Sequence, residues 1–229
     1  MPERVVIITG AKGGLGTYVT ETFLSAGTTV VGVSRSIRQA DFPHPKFVAM
    51  AADLTKAAPT RKLVQDVLAK FGRVDSLIHV MGGFAAGPLH EMDDAAWENM
   101  RDLNLTSAFN ILREVLPPMR QFGYGRIVAV GSQAALEAHP GLAAYTTFKT
   151  ALAALIGVVA IENNNHGITA NVVLPGTMDT PANRAAMPNV DPASWVSPKA
   201  VAEVILSLSE HNSGHITGAM IPVLPQTTT

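Results

Sequence analysis

Short apolar runs separated by helical stretches limit what this chain can fold into. Val5-Val6-Ile7-Ile8 is a continuous run of β-branched residues, which is typical of a strand buried on both faces of a sheet. Six further strands are expected, at residues 29–33, 47–51, 74–80, 126–130, 168–174 and 219–223. Helices are expected between most of them, at residues 15–26, 59–71, 93–121, 143–163 and 198–209. This alternation predicts an α/β fold, a doubly wound parallel sheet with helices on both faces.

Composition and charge narrow the class of protein. The 229 residues are 47% hydrophobic and only 15% charged, which indicates large buried faces or a subunit interface. No linker or repeat divides the chain, so residues 1–229 are expected to form a single domain. Residues 177–197 carry three prolines and are expected to form an irregular lid. The net charge of -1 offers no basic surplus, so neither nucleic acid nor a membrane is expected as a partner.

Metal sites, disulfides and export signals are not indicated by the sequence. The absence of cysteine excludes disulfides and thiolate ligands. His211 and His215 have helical spacing, but Asn212-Ser213-Gly214 between them predicts a turn, so no metal is expected. The N-terminus has no signal-peptide pattern, and the longest apolar run, residues 151–161, is shorter than the ~20 residues of a membrane helix. A cytoplasmic protein is therefore expected.

A glycine-rich segment joins the first strand to the first helix. It reads Thr9-Gly10-Ala11-Lys12-Gly13-Gly14-Leu15-Gly16. Glycines at such a turn let the backbone approach a pyrophosphate closely, and the helix N-terminus stabilises the phosphate charge. A plain strand–helix turn is the alternative, but this context favours nucleotide binding. The expected cofactor contacts are Gly10, Lys12, Gly13, Gly14, Leu15 and Gly16.

The end of the second strand bears on the choice of nucleotide. A site selective for NAD(H) usually has a carboxylate there, whereas this chain has Ser34 and Arg35. These two residues, with Lys12, would bind a 2′-phosphate, so NADP(H) is the preferred cofactor and NAD(H) the alternative. Arg35 as a solvated loop residue is the other interpretation. Asp53-Leu54 follows the third strand, where a carboxylate can meet the adenine amino group or can simply end a strand.

Tyr145 and Lys149 lie four residues apart, on one face of the helix expected at residues 143–163. A nearby ammonium favours the phenolate, so Lys149 is expected to lower the pKa of Tyr145 from about 10. Ser132, thirteen residues upstream of Tyr145, offers a hydroxyl that would hold a substrate oxygen beside the phenol. An exposed helical pair is the alternative, but the glycine-rich turn favours an acid/base role.

These features together resemble the short-chain dehydrogenase/reductase family in its single-domain form, over nearly the whole chain. The matching motifs are Thr9-Gly10-x3-Gly14-x-Gly16, Asp53, Asn104, Ser132, Tyr145-x3-Lys149 and Pro175-Gly176. The resemblance implies a Rossmann-like fold with a seven-stranded parallel sheet. It also implies hydride transfer between NAD(P)(H) and an alcohol/carbonyl pair, with Ser132, Tyr145 and Lys149 as catalytic residues. Asn104 would anchor a water in a proton relay behind Lys149; a solvent-facing helix residue is the alternative.

The resemblance also assigns contacts to the nicotinamide end of the cofactor. Pro175, Gly176 and Thr177 follow the sixth strand, where such folds contact the nicotinamide. After the fourth strand, the family usually has Asn-Asn-Ala-Gly.

This chain departs from that pattern, because it has His79-Val80-Met81-Gly82-Gly83. The backbone at Met81, Gly82 and Gly83 would still pass the cofactor. The strands that the asparagines normally tie together need another hydrogen-bond partner, and His79 is the candidate for that structural role.

The substrate pocket is expected above Tyr145, between the loop after the fifth strand and the lid. Four apolar residues are expected to line it, namely Phe84, Leu136, Met178 and Trp195. Two polar residues, Ser132 and Gln133, are expected beside them. This mixture predicts an NADP(H)-dependent reductase of a small hydrophobic ketone or aldehyde.

Two other functions remain open at this point. One is a catalytically silent NADP(H)-binding sensor, favoured only by the departure at residues 79–83. The other is a structural subunit of an assembly, suggested by the low charge. The helices expected at 93–121 and 143–163 would form a four-helix interface, as in many family members, so a homodimer or homotetramer is expected.

Overall fold

Seven parallel strands form one sheet at the centre of the computed structural model, which describes residues 4–225. They are β1 (Val5–Thr9), β2 (Thr29–Ser34), β3 (Phe47–Ala51), β4 (Ser76–His79), β5 (Gly125–Val130), β6 (Ile168–Pro175) and β7 (Met220–Val223). Their order across the sheet is β3-β2-β1-β4-β5-β6-β7, and every neighbouring pair is parallel. The predicted α/β fold with a doubly wound, seven-stranded sheet is confirmed.

Helices connect the strands and cover both faces of the sheet. In residues 4–225 they are α1 (Gly14–Ser25), α2 (Ala57–Phe71), α3 (Asp94–Arg101), α4 (Ser107–Phe122), α5 (Ala143–Asn163), α6 (Pro181–Ala186) and α7 (Pro198–Ser209). α1 and α7 pack against each other on one face. α2, α4 and α5 bury their apolar sides on the other face.

The pleat of β1 explains why its sequence is apolar without alternation. Val6 and Ile8 belong to the core under α1 and α7, whereas Val5 and Ile7 belong to the core under α2, α4 and α5. All four side chains are at most 3% exposed. Burial of a side chain of this size contributes about 1.5–3 kcal/mol, so both faces of this central strand stabilise the sheet.

The single helix expected at residues 93–121 is interrupted in the structure. Asp93 caps α3, because its carboxylate accepts a hydrogen bond from Ala96 N at 2.7 Å. A π-helical turn, Asp102–Thr106, then separates α3 from α4. Such wide turns are often found at functional sites. Asn104 lies in this turn and is fully buried, which rules out the alternative of a solvent-facing helix residue.

The lid, residues 177–197, contains regular structure where an irregular loop was expected. The helix α6 begins after Thr180, whose hydroxyl oxygen accepts a hydrogen bond from Asn183 N at 3.3 Å. Met178 pairs with Val196 in a short parallel bridge, which ties the beginning of the lid to its end. The lid is therefore a closed loop held at its base beside the sheet.

Candidate active site

The predicted site residues meet at the carboxyl ends of the strands. They come from the turn after β1, the ends of β2 and β3, the loop after β4, the loop after β5, the first turns of α5, and the end of β6. In open parallel sheets this edge, near the point where the strand order reverses, is where ligands bind. The reversal lies between β1 and β4 in this sheet.

The glycine-rich turn is shaped by close backbone contacts. Gly10 has a φ of +66°, in the left-handed region that favours glycine. A Cβ atom on Gly16 would lie 1.9 Å from Gly10 O, so no other residue fits there. Within residues 4–225 no side chain caps α1, which leaves the first-turn N–H groups of Gly14, Leu15 and Gly16 for an anion. This geometry suits the pyrophosphate of a dinucleotide.

A cavity of about 320 Å³ opens beside this turn. The predicted residues that line it are Gly10, Lys12, Gly13, Ser34, Arg35, Leu54, Met81 and Gly82. Sequence reasoning missed four further lining residues, Val33, Ser36, Ala52 and Leu103. Three of these adjoin predicted cofactor contacts in the sequence, whereas Leu103 comes from the π-helical turn. The residues fit a bound dinucleotide, since glycines, a hydroxyl and two cations converge on one groove.

Asp53 does not line this cavity. Its carboxylate accepts hydrogen bonds from Thr55 N at 3.0 Å and Thr55 Oγ1 at 2.7 Å. The bond from the Thr55 hydroxyl is the main reason that the pKa of Asp53 is lowered. An adenine contact by Asp53 stays a prediction.

The charges around the far end of the cavity include one that sequence reasoning missed. Lys12 donates to Ser36 O at 2.8 Å and lies 3.2 Å from the Asp41 carboxylate. A hydrogen bond from Arg38 N, and then the Lys12 ammonium, lower the pKa of Asp41. Arg35 is exposed. The Ser34 hydroxyl is buried and has no hydrogen-bond partner among residues 4–225.

Ser132, Tyr145 and Lys149 come together where α5 begins, close to the end of β5. The hydroxyl of Ser132 accepts a hydrogen bond from Ala134 N at 3.2 Å and interacts with the phenol of Tyr145. Lys149 donates to Val130 O at 2.9 Å. Its ammonium lies 5.8 Å from the centre of the Tyr145 ring. The structure therefore brings all three predicted catalytic side chains into one cluster.

Burial controls the protonation of this cluster. It raises the pKa of the Tyr145 phenol above the usual 10.0, and the hydrogen bond with Ser132 opposes that shift. Burial also lowers the pKa of Lys149 to about 8. The pKa of Tyr145 is thus raised, where a lowering by Lys149 was expected, because burial of the phenol is the largest effect on it.

Asn104 holds the loop after β4. Its Nδ2 donates to Gly83 O at 3.1 Å and to Met100 O at 2.9 Å, and its Oδ1 accepts from Gly83 N at 3.1 Å. A Cβ atom on Gly82 would lie 2.8 Å from Asn104 Oδ1 and 3.1 Å from Lys149 Nζ, so glycine is needed there. Asn104 thus lies beside Lys149, as the relay requires, and its anchoring of a water stays a prediction.

His79 supplies the tie between strands that the missing asparagines leave open. Its Nδ1 lies 3.0 Å from the hydroxyl of Thr9, its parallel neighbour on β1. Its Nε2 lies 3.4 Å from the hydroxyl of Ser107 on α4. Burial, and then the charge of Lys149, lower the pKa of His79 to about 3, so the imidazole is neutral. The sequence indicated the role of His79 but not the part of Ser107.

The predicted substrate residues differ in exposure and in distance from Tyr145. Phe84 is 66% exposed, and its ring centre lies 5.0 Å from that of Tyr145 in an edge-on arrangement. Gln133 reaches towards Gly176, since its Oε1 would lie 3.5 Å from a Cβ atom placed on that glycine. Met178 packs against the core under α1 and α7, and Trp195 is only 8% exposed. A role for the last two as pocket walls stays a prediction.

The end of β6 leads into the lid and on to the glycine-rich turn. Pro175 is the last residue of β6, and Gly176 N donates to Val223 O at 3.0 Å. Thr177 follows and is exposed. Sequence reasoning missed Thr180, whose methyl group would lie 3.3 Å from a Cβ on Gly14. The lid therefore reaches the position expected for the pyrophosphate.

No group of three or more histidine, aspartate or glutamate side chains that could hold a metal ion occurs in residues 4–225.

Comparisons with known proteins agree with this geometry. A family model described as short chain dehydrogenase matches residues 4–191. The short chain dehydrogenase adrF of Penicillium roqueforti is 31% identical over 97% of this chain and 96% of its own length. An uncharacterized NAD-dependent oxidoreductase of Mycobacterium tuberculosis is 32% identical over 92% of this chain and 80% of its own.

Solved structures show the same architecture. An oxidoreductase of the short chain dehydrogenase/reductase family from Burkholderia thailandensis superposes with a TM-score of 0.87 at 33% identity, over 98% of this chain and 92% of its own. The structure described as ElxO with NADP bound has a TM-score of 0.91 over 96% of this chain and 97% of its own. At 23% identity, the latter supports the fold alone.

We expect the buried Lys149 to make stability depend on pH. Its pKa falls from 10.5 to about 8 on folding, so the unfolded chain binds more protons between these pH values. Stability contributed at this position therefore rises as pH increases through that window. Relative to Lys149→Met, the wild type should gain about 3 kcal/mol from pH 8 to 10.5 in urea unfolding. A difference between the two proteins that stays constant with pH would contradict the burial of a charged Lys149.

Proposed function

Because this chain belongs to the short-chain dehydrogenase family, we propose that it is an NADP(H)-dependent reductase of a small hydrophobic ketone or aldehyde. Enzymes of this family interconvert a carbonyl and an alcohol with a nicotinamide cofactor, and this coarser activity follows from the comparisons. The observation that carries the proposal is the cluster of Ser132, Tyr145 and Lys149, in which Lys149 lies beside Gly82 of the cavity. That cluster also argues against the silent sensor.

Each of the three side chains has a distinct task in this reaction. A bound nicotinamide supplies or accepts the hydride. In the reducing direction, Tyr145 gives its phenolic proton to the carbonyl oxygen. Ser132 donates a hydrogen bond to the same oxygen and stabilises its developing charge. Lys149, whose ammonium lies 5.8 Å from the centre of the Tyr145 ring, places a positive charge beside the phenolate that remains. Because burial raises the pKa of Tyr145, the phenol is protonated before the substrate reacts, as a proton donor must be.

The preference for NADP(H) is supported by the charges at the far end of the cavity. Lys12 and Arg35 are cations that line it, and the buried Ser34 hydroxyl between them has no partner among residues 4–225. The carboxylate that would bind a ribose 2′-hydroxyl is absent from the end of β2. One relative of this chain is named an NAD-dependent oxidoreductase. NAD(H) is therefore the alternative cofactor.

The substrate class is supported by the surroundings of Tyr145. Phe84 and Leu136 are 66% and 50% exposed, so both offer apolar surface near the cluster. The loops that carry them are joined by a hydrogen bond from Gly87 N to Gly141 O at 2.8 Å. The second loop also carries Glu137, whose carboxylate lies 3.9 Å from the His139 ring. A small apolar carbonyl compound fits this entrance better than an anionic one.

The proposed function is tested by the turnover of NADPH with a panel of small ketones, aldehydes, quinones and a quinonoid pterin. We expect Tyr145→Phe to lower kcat about 10²- to 10⁴-fold, because the proton donor is lost, while the NADPH dissociation constant changes little. Tyr124→Phe, at the opposite end of β5, is the matched control and should keep full activity. If Tyr145→Phe retained wild-type turnover, the proton donor would have to be another group.

The cofactor preference is tested by reversing one charge. Arg35→Asp should weaken NADPH binding roughly tenfold or more relative to NADH, since it removes a phosphate partner and adds a repelling charge. Arg38→Asp makes the same change in net charge without lining the cavity and should have a much smaller effect. The measurement is the ratio of NADPH to NADH dissociation constants. Equal effects of both variants would show that only the overall field matters.

We also propose that a second copy of this chain covers the outer face of α5. Together with its final turn, this helix spans Ala143–His166 and has the length and composition of a membrane-crossing helix. Within the protein, 44% of its most apolar stretch is buried, so more than half of that stretch is not. Five of its exposed residues form an uncharged stripe, namely Thr147, Thr150, Ala154, Val158 and Ile161, and the exposed Glu162 borders the end of that stripe. Ile161 is 82% exposed. An uncharged stripe on a helix whose other side covers the sheet favours a homodimer or homotetramer.

Light scattering coupled to size-exclusion chromatography tests this interface. The wild type should elute as a dimer or tetramer, and Ile161→Glu should shift it to a smaller species, because the glutamate would bury a charge. Val190→Glu changes an exposed apolar residue on the lid and should leave the oligomer intact. A monomeric wild type would refute the interface.

A further inference from the structure

A buried polar chain passes through His79 from one wall of the cofactor cavity to the other. Met81 N donates to Thr9 Oγ1 at 3.1 Å, and Thr9 Oγ1 lies 3.0 Å from His79 Nδ1. On the opposite side of the ring, His79 Nε2 lies 3.4 Å from Ser107 Oγ, which donates to Leu103 O at 2.8 Å. Thr9, His79 and Ser107 are at most 1% exposed.

Only one tautomer of the imidazole satisfies this chain. Ser107 uses its proton for Leu103 O, so it must accept a proton from His79 Nε2. A neutral ring protonated at Nε2 then has an acceptor at Nδ1. The hydroxyl of Thr9 already accepts from Met81 N and donates its own proton to that Nδ1. Every hydrogen bond consequently points in the same direction, from Met81 to Leu103, which makes such a network stronger than isolated bonds.

The opposite tautomer breaks the chain at two places. A proton on Nδ1 would leave the Thr9 hydroxyl without an acceptor, because the only described partners of that hydroxyl are the backbone Met81 N and the His79 ring. Ser107 would have to turn its proton from Leu103 O towards Nε2. A buried polar group left without a partner is destabilising, so the Nε2-protonated form is strongly favoured.

The two ends of the chain give it a functional meaning. Met81 and Leu103 both line the cavity assigned to the dinucleotide. Asn104, next to Leu103, holds Gly83 on the same loop. The loop after β4 and the π-helical turn are thus joined in two ways, by the hydrogen bonds between Asn104 and Gly83 and by the chain through the His79 ring.

We propose that His79 is a positioning residue, which as the neutral Nε2-protonated tautomer helps to set the separation of Met81 and Leu103 and so the width of the cavity between them. The imidazole suits this task because its two nitrogen atoms lie on opposite sides of the ring, whereas the shorter asparagine amide would reach Thr9 but not Ser107. This inference rests on the proposed function for the identity of the bound cofactor, and on the hydrogen bonds alone for the tautomer.

The tautomer is tested without any activity assay. In the ¹⁵N spectrum of the histidine-labelled protein, the signal lost in His79→Asn should show a protonated Nε2 and an unprotonated Nδ1 at neutral pH. A ring protonated at Nδ1, or at both nitrogen atoms, would overturn the inference whether or not the protein turns over a carbonyl substrate.

The positioning role is tested by removing Ser107 and the His79 ring, separately and together. Ser107→Ala should raise the NADPH dissociation constant about tenfold, the loss expected from one or two buried hydrogen bonds. In the His79→Asn background the same Ser107→Ala change should have almost no further effect, because the link to Ser107 is already absent. Effects that multiply independently would overturn the role.

A matched control separates positioning from ordinary stability. Ser209→Ala removes another fully buried helix hydroxyl, which donates to Leu206 O at 2.7 Å at the opposite end of the sheet. It should lower the melting temperature without changing the NADPH dissociation constant. If Ser107→Ala likewise lowered only the melting temperature, His79 would be a structural tie and nothing more.

Discussion

The buried ammonium of Lys149 is the constraint on which the rest of the site depends. Its hydrogen bond to Val130 O, at 2.9 Å, fixes it against the end of β5. A charge in this position is costly, as its depressed pKa shows. The neighbours are adapted to it: Gly82 leaves the space that a Cβ would fill, and His79 stays neutral partly because of the same charge. One cation therefore restricts what two adjacent positions can be.

The site also depends on the way a parallel sheet gathers distant segments at one edge. Gly14 and Thr180 are far apart in the sequence, yet the lid brings the threonine methyl group against the glycine-rich turn. The bridge between Met178 and Val196 holds the base of the lid. The position of Thr180, two residues after Met178, therefore does not depend on the rest of the lid. Closure of the cofactor site and the fold of the sheet are consequently coupled through the end of β6.

Local chemistry explains how much of this could be predicted from the sequence. β-branched runs predict buried strands because branched side chains pack well on a pleated sheet. The helix at Ala143–Asn163 agrees with prediction because its apolar surface is continuous. The π-helical turn at Asp102–Thr106 has no such local signal. Its wider hydrogen bonding is stabilised by contacts of Asn104 and Ser107 with residues more than twenty positions away.

The predictions about the charges of Lys12 and Tyr145 are incomplete for the same reason, namely contacts with residues distant in the sequence. Asp41 neutralises part of Lys12 only because a short turn after β2 brings it back to the cavity. The spacing of Tyr145 and Lys149 predicts that they share a helix face, but not how deeply the phenol is buried or that the ammonium bonds to Val130 O instead. The pKa of a group depends on all the atoms that surround it, whereas a sequence motif identifies only one or two of the neighbouring residues. The departure at His79 shows the converse: a residue that looks like core from its sequence position connects both walls of the cavity, because its two nitrogen atoms find partners on different elements.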